Sequence, residues 1–376
     1  MDCRYFSRCG ACSLLNLEYG AQLALKRDAV AECFRKAGIR LIVHDAAGMD
    51  VPFHYRNKVI VNVSMKGGRI SCGMYEEFSH SVVDTPDCLL QNETLNAVLA
   101  TICRTLDSLK IRAYGYGGVL KQILLRIGVS TGQVLVCFVT SDDMFHGRAE
   151  LVKKITAAHP EIRTVIQNTN PRETSVVLGE REKILFGPGF IVDDLLGKRF
   201  KISARSFYQI NPAQTAVLYS KALELAGIRE SDTLFDAYCG IGTIGICASE
   251  RAGRVIGVEI NREAVKDAIG NARHNKADNA RFFCDDVKKF MRDFDAHVDI
   301  LIADPPRSGC DLEFINAIKR LRPSRIVYIS CNPETQARDI SRLTDIYSVR
   351  EAWPVDMFPH TRHIENIVVL ESRNLR

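Results

Sequence analysis

From about residue 206 onward, short apolar runs alternate with helical patterns. That alternation constrains the fold more than any other feature of the chain. The runs are TLFDAYCGIGTIGI, RVIGVEI, ARFFCDD, DILIADPP and RIVYISC, separated by stretches such as REAVKDAIGNARHN. Strands at this spacing with helices between them predict a doubly wound parallel sheet. Ligands of such sheets bind outside the carboxyl ends of the strands. Asp236, Glu259, Asp304 and Cys331 all fall at such ends, so four polar or reactive groups share one predicted edge.

The upstream half reads differently. A helix is expected over 15–37, with Leu17, Ala21, Leu25, Ala29 and Phe34 on one stripe and Gly38 as C-cap. Between 57 and 185 come KVIVNVSM, QILLRIGVS, QVLVCFVT, TVIQNTN and TSVVLG, strand-like runs punctuated by Gly, Asn and Asp. An amphipathic helix interrupts them around 91–108. The pattern predicts a mixed α+β, largely antiparallel β domain. At 376 residues the chain has room for both.

No apolar run is long enough to cross a membrane, and MDCRYFSRCGAC has no apolar signal-peptide core, so a cytoplasmic protein is expected. Nothing in the sequence demands more than a monomer. The net charge of +5 is uneven. Residues 1–205 hold 27 Lys+Arg against 21 Asp+Glu, a net of +6, and residues 206–376 hold 23 against 24, a net of −1. A basic first half points to a polyanionic partner there, although surface cations are usually just solvated.

DAYCGIGTIG follows a strand and opens a helix. Its Gly240-x-Gly242 spacing lets the backbone approach a ligand. Glu259 ends the next strand, where a carboxylate can accept hydrogen bonds from both ribose hydroxyls. Thr243 stands where a dinucleotide fingerprint would place its third glycine, and Gly245 follows instead. The loop therefore suits an adenosine cofactor without phosphates, with S-adenosylmethionine the obvious candidate. Asp304-Pro305-Pro306-Arg307 forms a rigid loop at another strand end. Enzymes that methylate exocyclic amines usually carry an aromatic residue after the two prolines, so Arg307 argues for a different target atom.

Cys331 sits where the strand Arg325-Ile326-Val327-Tyr328-Ile329 gives way to Ser330-Cys331-Asn332-Pro333. A thiol at a strand end, beside a cofactor site, is a candidate nucleophile. Uracil would use one: its carbon 5 is too weak a nucleophile to take a methyl group unaided. A thiolate adding to carbon 6 makes carbon 5 enolate-like, and a base must later remove the carbon 5 proton. Asp356, His360, His363 and Glu365 lie within ten residues near the C-terminus. Glu365, nearest the final strand, is the favoured base.

FYQINP (207–212), DAYCGIG (236–242), DPPRSG (304–309), SCNPETQARD (330–339) and DMFPHTRHIE (356–365) follow in the order and spacing of the RNA uracil-5-methyltransferases. The chain resembles that family over the whole of its second domain. The resemblance implies a Rossmann-like α/β methyltransferase domain with Cys331 as nucleophile and Glu365 as base. Gln209, Tyr238, Glu259 and Asp304 would contact S-adenosylmethionine. Many members have asparagine where this chain has Thr243. The family also implies that residues 15–46 pack with 206–376 as the catalytic domain, leaving 1–14 and 47–205 as the central RNA-binding domain.

Cys3-x5-Cys9-x2-Cys12, with Cys88 in TPDCLLQ, stands apart from the other cysteines. In isolation these four suit zinc or stay unliganded. Their spacing resembles the 4Fe–4S site of the 23S ribosomal-RNA branch of the family, which the transfer-RNA branch generally lacks. HYRNKV (54–59) also recurs in the family and fits a contact with RNA. Relatives commonly carry an N-terminal β-barrel RNA-binding domain. This chain starts at the first cluster cysteine, so RNA grip is expected from the central domain and the cluster. The implied activity is formation of 5-methyluridine in 23S rRNA, on a uridine unstacked from its neighbours. Transfer RNA as substrate, and an iron–sulfur RNA-binding protein without activity, are the alternatives.

Overall fold

A computed structural model describes residues 3–77, 79 and 81–373. Its strands and helices fall into two units. One comprises Met1–Asn16, Pro52–Asp194 and Lys201–Arg205, the other Leu17–Val51, Leu195–Phe200 and Ser206–Arg376.

The second unit is built on an eight-stranded sheet. Its parallel part runs, in spatial order, Ala280–Cys284, Arg254–Glu259, Thr233–Ala237, Ile300–Ala303 and Arg325–Ser330. Beyond it, Glu365–Ser372 pairs antiparallel with both Arg325–Ser330 and Tyr347–Val355, and Ile42–Val43 adds a parallel edge. From Thr233–Ala237 the chain moves outward through two strands and then crosses back to Ile300–Ala303. The strand order therefore reverses between those two neighbours, and the crevice of a doubly wound sheet opens at such a point.

The strands are near-continuous apolar runs because both faces are covered. Phe235, Ile256, Leu301, Ile326 and Val368 join a core with Val30, Phe34, Phe314 and Tyr347. The first helix, Tyr19–Lys36, turns a different face inward from the expected one. Leu17 and Leu25 are 38% and 44% exposed, and Gln22, Lys26, Val30 and Phe34 are buried. The register is rotated by about one residue because Gln22 and Lys26 find polar partners inside, described below.

The first unit holds a seven-stranded sheet ordered Val82–Asp84, Arg69–Tyr75, Lys58–Lys66, Leu120–Ile127, Val134–Thr140, Ile162–Thr169 and Arg181–Phe186. All pairings are antiparallel except Val134–Thr140 with Ile162–Thr169, which the helix Arg148–Ala158 connects. That helix and Glu93–Ser108, N-capped by Asn92, cover one face through Leu95, Leu99, Ile102, Leu151 and Ile155. The expected strand TSVVLG (174–179) does not form. The Asn168 amide bonds both the N–H and the C=O of Gly179, and Asn170 donates to the carbonyls of Val176 and Val177. Side chains there satisfy backbone groups that a ladder would have used. Among the described residues, no helix is long and apolar enough to cross a membrane.

Candidate active site

The crevice is lined by loops leaving adjacent strand ends. After Thr233–Ala237 the chain turns through Tyr238 and Gly240, both at positive φ (62° and 55°), into Gly242, which N-caps the helix Thr243–Ala248 at φ 80°. A side chain at Gly240 would point into open space. Glu259, at the end of the next strand, accepts from the Gly240 N–H at 3.2 Å and the Asn261 N–H at 2.8 Å, tying the two loops together. The Asp236 carboxylate accepts from the Gly245 N–H at 2.8 Å and anchors the helix start. Burial pushes it up to about 7, and Asp304 and Glu259 add to the rise.

Asp304, just past Ile300–Ala303, is likewise pushed up to about 7 by loss of hydration. Buried Gln209 hydrogen-bonds the Tyr219 hydroxyl, which also lies 3.5 Å from Thr243 Oγ1. Burial raises Tyr219, with Asp304 adding, so Gln209, Tyr219, Thr243 and Asp304 share one neighbourhood. Tyr219 has no sequence signal beyond its place on the buried face of the helix Pro212–Ala226.

Cys331 and Glu365 meet through strand register. Ser330 pairs with Asn366 across the antiparallel ladder, so the next step places Cys331 beside Glu365. Gln336 staples this corner by donating to the carbonyls of Tyr328 and Asn366 and accepting from the Asn366 amide. Asn332 and Thr335 both donate to the Arg307 carbonyl at 3.2 Å, pinning the Asp304–Gly309 loop to the cysteine turn. Burial pushes the Cys331 thiol up to about 11, with Glu365 and Asp304 adding and the Arg307 guanidinium opposing. Burial and then Asp304 hold Glu365 well above the usual carboxylate range. Among the described residues, Glu365 Oε2 has no hydrogen-bond donor.

The other candidate bases have different work. Asp356 is fully buried against Lys26, Nζ to Oδ1 2.5 Å, and also accepts from the Tyr19 hydroxyl. Lys26 donates to the Phe358 carbonyl too. Gln22 bonds both the Nδ1 and the backbone N–H of His360. The first helix thus clamps the loop leading into Glu365, while His363 is exposed.

Burial raises Asp236, Asp304 and Glu365, and the charge of Asp304 adds to the rise of the other two. A ligand carrying positive charge relieves that repulsion. The open cradle at Gly240 and the carboxylate at Glu259 complete a site that fits the adenosine, sulfonium and ammonium of S-adenosylmethionine.

In the first unit, Cys3, Cys9, Cys12 and Cys88 line one apolar pocket with Tyr5, Phe6 and Leu90. Burial pushes Cys12 up to about 12, opposed by Arg56, and the other three thiols act on it. His54 and Arg56 bond the segment bearing Cys88: their N–H groups donate to the Leu89 and Leu90 carbonyls. Among the described residues, no three His, Cys, Asp or Glu are grouped to hold a metal ion. A lone zinc gathers its sulfurs at Zn–S distances of about 2.3 Å, whereas a 4Fe–4S cluster binds four thiolates separately. Four cysteines around one pocket fit the latter donor set.

The fold and crevice define an S-adenosylmethionine-dependent methyltransferase. A family profile described as tRNA (uracil-5-)-methyltransferase matches residues 153–373. An uncharacterized RNA methyltransferase of Halalkalibacterium halodurans is 40% identical, covering 99% of this chain and 83% of that one. One of Listeria innocua is 39% identical, covering 98% and 83%. The crystal structure of Pyrococcus abyssi tRNA (uracil-54, C5)-methyltransferase in complex with S-adenosyl-L-homocysteine superposes with a TM-score of 0.80. It is 28% identical over 96% of this chain and 86% of that one. The chain belongs to the uracil-5-methyltransferase family of RNA methyltransferases.

Proposed function

We propose that the protein methylates carbon 5 of a uridine in 23S ribosomal RNA. The meeting of Cys331 and Glu365 at the crevice carries this reading. Gln209, Tyr238, Glu259 and Asp304 would hold S-adenosylmethionine, which supplies an electrophilic methyl group on a sulfonium. The Cys331 thiolate adds to carbon 6 of the uracil and gives carbon 5 enolate character, so that carbon 5 would take the methyl group as the sulfonium S–CH3 bond breaks and a neutral thioether leaves. Glu365 then removes the carbon 5 proton, the carbon 5–carbon 6 double bond re-forms, and the thiolate leaves. Among the described residues Glu365 Oε2 has no hydrogen-bond donor, which suits a group that must accept that proton. Arg307 opposes the upward pull on the thiol and favours the attacking thiolate.

The four cysteines support the ribosomal-RNA assignment and a 4Fe–4S cluster. A structural or RNA-positioning role suits the cluster, since methyl transfer needs no electron. The Pyrococcus abyssi neighbour favours a second reading, transfer RNA as the substrate. The test offers anaerobically purified protein and radiolabelled S-adenosylmethionine to unmodified 23S rRNA and to bulk tRNA, and maps 5-methyluridine. Label confined to tRNA overturns the first reading. Failure to label either RNA favours an RNA-binding protein without activity.

A further inference from the structure

Two grooves of the first unit, of about 510 and 400 Å³, share the segment Lys110–Ile111–Arg112 as a common wall. Pockets that take ligands run to about 300–1,000 Å³. The first groove also meets the Gly67–Gly68 tip of the hairpin formed by Lys58–Lys66 and Arg69–Tyr75. Lys66 and Arg69 pair across that tip. Among the described residues, none of Lys66, Arg69, Lys110 and Arg112 enters an ion pair, whereas Arg4, Arg8, Lys154, Arg172, Arg181 and Arg205 do. The acid on the first groove, Asp107, is engaged by the Ile70 N–H at 2.7 Å. Two large exposed groups line the grooves with these cations: Tyr116, 50% exposed, in the first and Met144, 63% exposed, in the second.

Unpaired cations along a groove, with the exposed Tyr116 ring beside them, suit single-stranded nucleic acid: cations meet phosphates and the ring stacks on a base. We propose that the Lys110–Arg112 wall and Tyr116 form a docking groove for single-stranded RNA. The proposal rests on RNA being the substrate, and not on which RNA it is. The groove is far from neutral, so an acidic protein is the competing occupant. The exposed Tyr116 ring favours RNA over it, because stacking needs planar bases.

The test uses the full-length protein, Lys110→Ala/Arg112→Ala and, separately, Tyr116→Ala. Binding of a fluorescein-labelled single-stranded RNA, and of a duplex of the same sequence, is followed by anisotropy across a salt series. The double variant should lower the slope of log affinity against log salt by about 1.4, two lost contacts at about 0.7 each for a single strand. Tyr116→Ala should weaken single-strand binding about 5- to 100-fold and leave the salt slope unchanged. In the methylation assay both variants should raise KM for RNA with kcat held. Unchanged affinity and slope in variants that melt like the parent would overturn the proposal. So would polyglutamate competing as well as RNA irrespective of Tyr116. If the 23S assignment fails, the wild-type protein labels another RNA, but the binding difference between parent and variants persists.

Discussion

Lys26→Met should destabilise the second unit by about 3–5 kcal/mol, the cost of stranding one partner of a buried ion pair. Lys26 and Asp356 are both fully buried, with Nζ and Oδ1 at 2.5 Å. Burial pulls the lysine down and Asp356 pulls it back up. Methionine keeps the length and removes the charge. Asp356 would retain the Tyr19 hydroxyl at 3.0 Å but lose its cation, and the Phe358 carbonyl would lose its donor. Against a total of roughly 5–15 kcal/mol, that loss is large. In a unit of this size it corresponds to a drop of roughly 6–20 °C in Tm, at about 2–4 °C per kcal/mol. Urea and thermal unfolding followed by near-ultraviolet circular dichroism would measure it. Lys26→Met/Asp356→Asn removes the stranded charge while keeping an acceptor for Tyr19, and should recover about 1–3 kcal/mol. A loss below about 1 kcal/mol in the single variant, or a double variant no more stable than it, would refute the reasoning. Because the clamped loop runs into Glu365, Lys26→Met should also slow methylation at temperatures where the protein is still folded.

Three further outcomes follow from the crevice. Glu365→Gln should cut turnover about 10²- to 10⁴-fold and accumulate a protein–RNA adduct stable in denaturing gels, and an adduct that forms and resolves at the parental rate would exclude Glu365 as the base. Arg307→Ala removes the cation that opposes the rise of Cys331, so alkylation of that thiol by iodoacetamide at pH 8, measured by peptide mass spectrometry, should slow several-fold. Asp236 and Asp304 titrate near 7 when folded and near 4 when unfolded, so the folded chain keeps protons that the unfolded chain has released. Their contribution to stability therefore declines as pH rises from about 4 through 7. A cationic ligand selects the ionised carboxylates, so S-adenosylmethionine affinity by calorimetry should rise about ten-fold per coupled carboxyl between pH 6 and 8, and a flat profile would count against an anionic cradle.

What the sequence made legible is what is encoded locally. Strand ends fall where apolar runs stop, so Asp304 and Cys331 could be placed beyond their strands, and Glu259 at the end of its own, before any geometry was known. The alternation of strand and helix carried the fold class for the same reason. Both misreadings came from polar side chains whose hydrogen-bond partners the apolar pattern does not announce. The strand expected at 174–179 failed because Asn168 and Asn170, one strand earlier, bond its backbone. The first helix was assigned the wrong face because Gln22 and Lys26 read as solvent-facing, and their partners His360 and Asp356 lie 338 and 330 residues further along the chain. Local hydrophobicity cannot announce a buried lysine whose counter-ion arrives from the opposite end of the sequence. The same long-range folding brings Cys331 to Glu365. The two are 34 positions apart, and only the antiparallel register of the last strand, Ser330 opposite Asn366, makes them neighbours. A motif can name both residues, but their reach toward one uracil ring depends on that ladder and on the first-helix clamp that fixes how the chain enters it.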